Sequence, residues 1–549
     1  MPSSPSGDSV LRAASKNDRR YITRHALGFY RALILAGLYT FTSRQETARA
    51  PVEKTVPISA SALTSADHLD LKDPTTYIPA LKHCIATHPI LSAGIRGQDG
   101  EEPVFVRCED IEGMGLERHL EVLDPVSAVP DVDEIEALKR VMLQAHDQVF
   151  EDVERVPPWN VSVLPLFGSD GEGRKRAYVI FAYSHSHGDG RSGLNFHRTF
   201  LEGLQRGQKD QGYDCTPFHS TSELGSLPPA LEEACTLRIT GKFLLSTLFG
   251  ARMPEWLRGW LGFSTPIASG RTWTGKVMQY NAGNFRTGSE ILLVHRDRVE
   301  SVLRVCREKG GARLTGLLNQ LVVRALSDVL PEHDASCAVE NFIGTIVVDL
   351  RALVPTYKPE MMLNCVSAVY EGSQRVAKGD PAINLKDDDA LWDAVRGTTA
   401  RLAHSASTLV DQPIGLVQYL DKFRPWFLEK LGEARDSSYE ISNAVVFDPS
   451  SKGNASVSGV ESDGKGTWDI ERMVFSQPAN VTNCPLSFSV VTRKDGEMVM
   501  TLNWQIGALG VVDENGFAKD ILGRIDGYLT GIAQIDSNTL DIAGLVDNE

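Results

Sequence analysis

The sequence is poor in cysteine. It has eight in 549 residues, at 84, 108, 215, 235, 306, 337, 365 and 484, and no two form a Cys-x-x-Cys pair. That spacing excludes the usual zinc signatures and a dense disulfide framework. Cations are outnumbered, 56 Lys and Arg against 71 Asp and Glu, for a formal charge of −15. A general nucleic-acid binder needs a basic face, so that class is disfavoured. Long apolar runs are missing too. The longest early one, Ala32 to Ser43, is bounded by Arg31 and Arg44 and falls well short of the ~20 residues of a membrane-spanning helix. The start, Met-Pro-Ser-Ser-Pro-Ser-Gly-Asp, lacks the basic and apolar regions of a secretory signal. The expected location is cytoplasmic, or peripheral on a membrane surface facing the cytosol. The Asn-x-Ser/Thr triplets at Asn160, Asn454 and Asn480 are then expected to be fortuitous. There is no Gly-x-x-x-x-Gly-Lys-Ser/Thr phosphate loop, no Gly-x-Gly-x-x-Gly between strand and helix, and no Gly-x-Ser-x-Gly nucleophile elbow.

What is present is ordinary folded-protein material, 42% hydrophobic and 23% charged, too apolar for a disordered chain. The length calls for two large domains. Residues 1–20 are polar and Ser-rich, and are expected to be disordered. Residues 21–42 read as a helix, with Arg20, Arg24 and Arg31 among leucines. That helix would face the core or act as a basic amphipathic membrane anchor. Apolar spacing predicts helices over residues 79–88 and 133–150. Strand, Gly-rich turn and strand follow, over residues 159–164, 168–173 and 177–183, then a helix over 192–206. Residues 207–290, broken by Gly, Pro and Ser, read as a crossover linker. Within it, residues 237–263 read as an aromatic and basic helical stretch with Trp256 and Trp260. Helices over 299–309, 314–329 and 514–528, and strands over 342–349, 441–447, 486–492 and 498–506, complete a second block. The chain therefore divides into 1–20, 21–206, 207–290 and 291–549, with two α/β (α+β) halves of related design.

The segment richest in chemistry is His185-Ser186-His187-Gly188-Asp189-Gly190-Arg191-Ser192-Gly193. Imidazole is the side chain best suited to take a proton near neutral pH. At the end of a buried strand His185 could be held rigidly at a cavity. Gly188 and Gly190 permit a turn, after which Asp189 could hold the loop by pairing with an Arg elsewhere. The spacing of His185, His187 and Asp189 also suits metal ligands on alternate positions, but no further ligand cluster accompanies it.

Context gives the motif a family look. The order is His88-Pro89-Ile-Leu-Ser-Ala, then Pro158-Trp159, strand–turn–strand, and His185-x-x-x-Asp189-Gly190-Arg191-Ser192. Later come Leu314-Thr315-Gly-Leu-Leu, Val348-Asp349-Leu350-Arg351, Ser442-Asn443, Phe475-Ser476-Gln477 and Trp504-Gln505. Over roughly residues 20–530 this resembles the CoA-dependent acyltransferase superfamily of chloramphenicol acetyltransferase, plant acyl-CoA acyltransferases and peptide-synthetase condensation domains. It looks most like the fungal alcohol acetyltransferase family. The plant Asp-Phe-Gly-Trp-Gly motif is absent, and Ser184 stands where condensation domains carry a second His. Met362-Leu363 precedes Asn364 where a Gly is expected, and Asn364 is left without an assigned contact.

The resemblance implies two chloramphenicol-acetyltransferase-like domains with a tunnel at their interface. Acetyl-CoA or another acyl-CoA would be the co-substrate, with no permanently bound cofactor or metal. The acceptor would be the hydroxyl of a small apolar alcohol or secondary metabolite. His185 would be the general base, with Asp189 beside it in the motif and Gly190 and Arg351 supporting the motif. His187, Ser442, Asn443 and Ser487 would touch substrate. CoA is anionic and so is the chain, so a local basic patch is expected at the tunnel mouth. The chain would be a monomer without nucleic-acid partners. Two other readings stay open: condensation of a carrier-bound acyl group or a CoA-independent rearrangement on the same fold, and a non-enzymatic lipid-surface protein.

Overall fold

The computed structural model of the chain describes residues 10–42, 69–108, 118–127, 132–167, 174–207, 225–249, 253, 257, 260–262, 266, 268–334, 338–376, 385–450 and 466–543. Two six-stranded sheets organise it. The first runs β13 (Thr467–Ser476), β2 (Ala32–Thr42), β8 (Lys175–Ser184), β7 (Trp159–Phe167), β5 (Leu120–Val122), with β6 (Val126–Ser127) also on β7. The second runs β11 (Val366–Gln374), β10 (Asn341–Asp349), β12 (Tyr439–Phe447), β14 (Leu486–Arg493), β15 (Met498–Gln505), β9 (Thr287–Val294). A small sheet joins β1 (Val10–Ala13), β4 (Val104–Arg107) and β3 (Ala93–Arg96).

The expected helix over residues 21–42 is two elements. Helix α1 (Lys16–Ala26) is capped by Ser15, whose side chain accepts from Asp18 N. It ends before Gly28, which sits at φ +73, a conformation glycine adopts freely. Residues Ala32–Thr42 are strand β2, buried almost throughout. The reason lies in what covers it. Leu33 and Leu35 pack with α2 (Ile78–Thr87) and α4 (Gly190–Gly207) on one face. Ile34, Ala36 and Leu38 pack with α3 (Val132–Asp147) on the other. A strand buried on both faces has no polar alternation, and its apolar run imitates a helix. The polar leader also carries structure earlier than expected, since β1 and α1 both begin before residue 20.

Within the described part of residues 237–263 lies helix α5 (Gly241–Phe249). Trp260 is exposed, and Trp256 lies outside the described residues. The second sheet is backed by α6 (Arg296–Glu308), α7 (Leu314–His333), α8 (Asp389–Ser405) and α10 (Glu514–Ala543). The short α9 (Phe423–Glu429) lies near α1. No described helix is long and apolar enough to cross a membrane.

Strand β13 ties the two halves. It comes late in the chain, yet it pairs with β2 from Thr467↔Thr42 to Ser476↔Ile34. Its end is bonded to the second sheet. Thr501 Oγ1 donates to the Phe475 carbonyl at 2.9 Å, and Ser476 Oγ donates to Asn503 Oδ1 at 3.2 Å.

Candidate active site

His185 leaves the end of β8, which is paired on both edges and buried from Ala177 to Ser184. Ser184 Oγ accepts from Ser186 N at 3.3 Å and bends the chain into a 3-10 turn, His185–His187. The half-buried imidazole stacks on Tyr21 of α1, ring centroids 4.1 Å apart, and tilts against Tyr30 at 5.5 Å. Asn364 fixes its proton. The Asn364 Nδ2 donates to the His185 carbonyl oxygen at 2.8 Å. That turns the amide oxygen toward the ring, 3.1 Å from Nδ1. An amide oxygen only accepts, so Nδ1 carries the hydrogen and Nε2 keeps its lone pair. Burial, reinforced by the Arg24 guanidinium, lowers the imidazole pKa to about 4. The ring is neutral at pH 7 and able to accept a proton at Nε2.

Asp189 is turned to a different task. Its Oδ1 meets Arg351 Nη2 at 2.8 Å and the Ser192 N and Oγ at 3.1 Å, and its Oδ2 accepts from Cys365 N at 3.1 Å. Burial opposes the carboxylate's charge, but Arg351 and these bonds outweigh it and hold the pKa below its ordinary value. Arg351 also donates to the Leu363 carbonyl at 2.8 Å. The pair therefore ties the motif to the segment that presents Asn364. Gly190 is required by close approach, because a Cβ there would stand 2.8 Å from the Phe475 ring.

His185 opens on a cavity of about 230 Å3, next to a second of about 390 Å3. Both are lined by Gly190, Val347, Val366, Ser442 and Phe475, so they abut at the motif. The second arises from strand splay. Strands β10 and β12 pair only from Gly344↔Tyr439 to Ile346↔Ile441, and diverge beyond. Val347, Val348, Leu402 and Ala403 make an apolar slot there, with Arg191 and Arg313 beside it. The first cavity carries charged as well as apolar side chains. Arg20, Arg24, Lys430, Asp436, Glu440 and Asn483 line it.

Of the other expected site residues, Ser442 sits where the cavities meet. Asn443 lines the second cavity and holds the local backbone. Its Nδ2 donates to Thr315 Oγ1 at 3.0 Å, and its Oδ1 accepts from the Val445 N at 2.8 Å. Val445 has φ +59 at a bulge between β12 and β14, an unusual conformation for a β-branched residue. Two residues lie away from both cavities. His187 bonds Ala93 O at 2.8 Å and Ser186 Oγ at 2.9 Å, outside both of these cavities. After the turn, alternate positions no longer share a face. Ser487 is buried on β14, its hydroxyl 3.7 Å from Cys484 Sγ, and lines neither cavity. Among the described residues no group of His, Cys, Asp and Glu is placed to hold a metal ion. Tyr21, Tyr30, Asn364, Glu440 and Gln477 were not assigned from the sequence. Only the Arg20–Tyr21–Arg24 spacing, one helix turn, was a usable signal.

Comparison with known proteins agrees with this architecture. The alcohol acetyltransferase family model matches residues 138–509. A "probable alcohol acetyltransferase" of Fusarium pseudograminearum is 22% identical over 535 residues, covering 95% of this chain and 96% of that protein. Another so named, from Aspergillus fumigatus, is 23% identical, covering 69% and 74%. Among solved structures, the trichothecene 15-O-acetyltransferase of Fusarium sporotrichioides has the same fold, with TM-score 0.64 at 13% identity, covering 95% and 94%. The condensation domain of the monacolin K polyketide synthase gives TM-score 0.50 at 12% identity, covering 97% and 99%.

Proposed function

The chain belongs to the alcohol acetyltransferase family, and from that premise we propose that it moves an acyl group, acetyl in the first instance, from CoA to the hydroxyl of a small acceptor, with His185 as general base. The observation that carries this reading is the neutral imidazole whose Nε2 is free at a cavity abutting a second one. The acceptor occupies the cavity beside His185. The pantetheine arm of the acyl-CoA lies in the apolar slot between β10 and β12, with Arg191 and Arg313 as the basic patch that meets its phosphates. The acceptor hydroxyl oxygen and the thioester carbonyl carbon thus meet at Gly190, and holding them there supplies an entropic gain.

His185 Nε2 takes the acceptor hydroxyl proton as the oxygen attacks the thioester carbonyl carbon. The tetrahedral intermediate collapses with cleavage of the carbon–sulfur bond, and the proton passes from Nε2 to the leaving thiolate. The products are the ester and free CoA. Ser442 is placed to donate to the oxyanion, since among the described residues its hydroxyl has no hydrogen bond. Asp189 and Arg351 position the motif and take no part in the proton transfer. Base catalysis of this kind supplies ~10²–10⁴-fold in rate. Release of free thiol from acetyl-CoA in the presence of alcohols tests the reading. His185→Ala is expected to lower it by at least ~10²-fold with an unchanged circular dichroism spectrum. Full activity in that variant would remove the mechanism.

A further inference from the structure

The acceptor cavity has a charge imbalance. Seven ionisable side chains other than tyrosine line it. Asp189 is committed to Arg351 at 2.8 Å and Lys430 to Asp436 at 3.2 Å. His185 is neutral. That leaves Arg20, Arg24 and Glu440.

Neither Arg20 nor Arg24 has a carboxylate partner among the described residues. Arg24 donates to the amide oxygen of Asn480 at 3.1 Å, and Arg20 donates to Asn17 Oδ1 at 3.5 Å. The Nε of each is buried without a partner. The guanidinium carbons stack on the rings that flank the catalytic imidazole, Arg20 at 4.5 Å from the Tyr21 centroid and Arg24 at 4.4 Å from that of Tyr30. Both cations therefore stand one aromatic ring away from His185. Glu440 accepts from Gln477 Nε2 at 2.9 Å and from Asn483 Nδ2. Burial raises its pKa against those bonds, which weakens it as a counter-charge. Desolvated guanidinium groups without an anion are costly to keep, and paired ones are the best carboxylate receptors a protein builds.

Resting on the acyltransferase reading above, we infer that the acceptor is a hydroxy acid, whose carboxylate is held by Arg20 and Arg24 while its hydroxyl meets His185. The anion is not supplied by CoA, whose phosphates lie a full pantetheine arm away from the sulfur that must reach the base. Glu440 on the same cavity wall admits one negative charge and disfavours a second.

The test uses the full chain, acetyl-CoA, and ω-hydroxy acids of four to eight carbons beside their methyl esters, which lack the charge and add one methyl group. Wild type is expected to favour an acid over its ester at least tenfold in kcat/KM. Arg20→Gln/Arg24→Gln, or Arg24→Gln alone if the double variant fails to fold, is expected to erase that ratio through the KM for the acid. Glu440→Gln is expected to enlarge it. An unchanged ratio in the arginine variants, or a rise in the KM for acetyl-CoA in place of the acid, overturns the proposal. Calorimetry with hexanoate and methyl hexanoate, which cannot react, separates this from the acyltransferase reading. Tighter binding of hexanoate, lost in the arginine variant, sustains the anion site even if no thiol is released. Equal binding of the two sinks it even if transfer to neutral alcohols is brisk.

Discussion

Asn364 decides which nitrogen of His185 can act. It grips the residue twice, at the carbonyl and at Nδ1, so the ring cannot present the wrong tautomer. Asn364→Ala is expected to lower kcat by about 10–100-fold, the usual penalty for removing the partner that orients a functional imidazole. The KM for acetyl-CoA should hold steady, and an equal loss in KM would make Asn364 a binding residue. The pH profile gives a second readout. His185 has a folded pKa of about 4, and the base is active when neutral. The acid limb of kcat/KM is therefore expected near pH 4, and a limb near the ordinary histidine value would mean that the ring is less buried and farther from Arg24 than described. The sequence pointed to His185, Asp189 and Arg351, because a motif carries them. It left Asn364 unassigned, because its meaning depends on a contact across 179 residues.

Among the elements, β2 and β13 place the site. Strand β2 was hidden in an apolar run, since a strand covered on both faces loses the alternation that would betray it. The insertion of β13 beside β2 had no local signature, because pairing partners more than four hundred residues apart leave no mark on either segment. Yet β13 supplies Phe475, the ring that Gly190 nearly touches. This contact is where the two cavities meet. Gly190→Val is expected to obstruct the passage, cutting thiol release more than tenfold and lowering stability by ~1–3 kcal/mol, the usual overpacking cost. Thiol release at the wild-type rate would show that the substrates do not meet there. The amphipathic helices were easier to read. α2 and α3 each bury one stripe, α7 buries all but a line through Gln320, Arg324 and Asp328 between Gly316 and Leu330, and spacing alone marks them.

Across the whole molecule, burial has collected neutral histidines. His25, His88, His146, His185, His187 and His197 all have pKa values lowered to about 4, burial being the leading cause in each. A depressed histidine pKa means that the unfolded chain binds more protons than the folded one. Stability is then fully present above about pH 6.5 and lost as pH falls toward 4, by up to ~1.4 kcal/mol per pH unit for each group. The melting temperature is expected to be level above pH 7 and to drop steeply below 6.5. A level curve down to pH 5 would contradict this burial. The sequence by itself determined the class of fold, two helix-backed α/β halves, and singled out the histidine proposed as base, because periodicity and a compact motif are local properties written in neighbouring residues. Only the tertiary structure decided what surrounds that base. The Arg20–Arg24 pair, Glu440 and Asn364 come from three separate segments, the first more than three hundred residues before the others, and the charge a cavity prefers is a sum over side chains that meet only when the chain has folded.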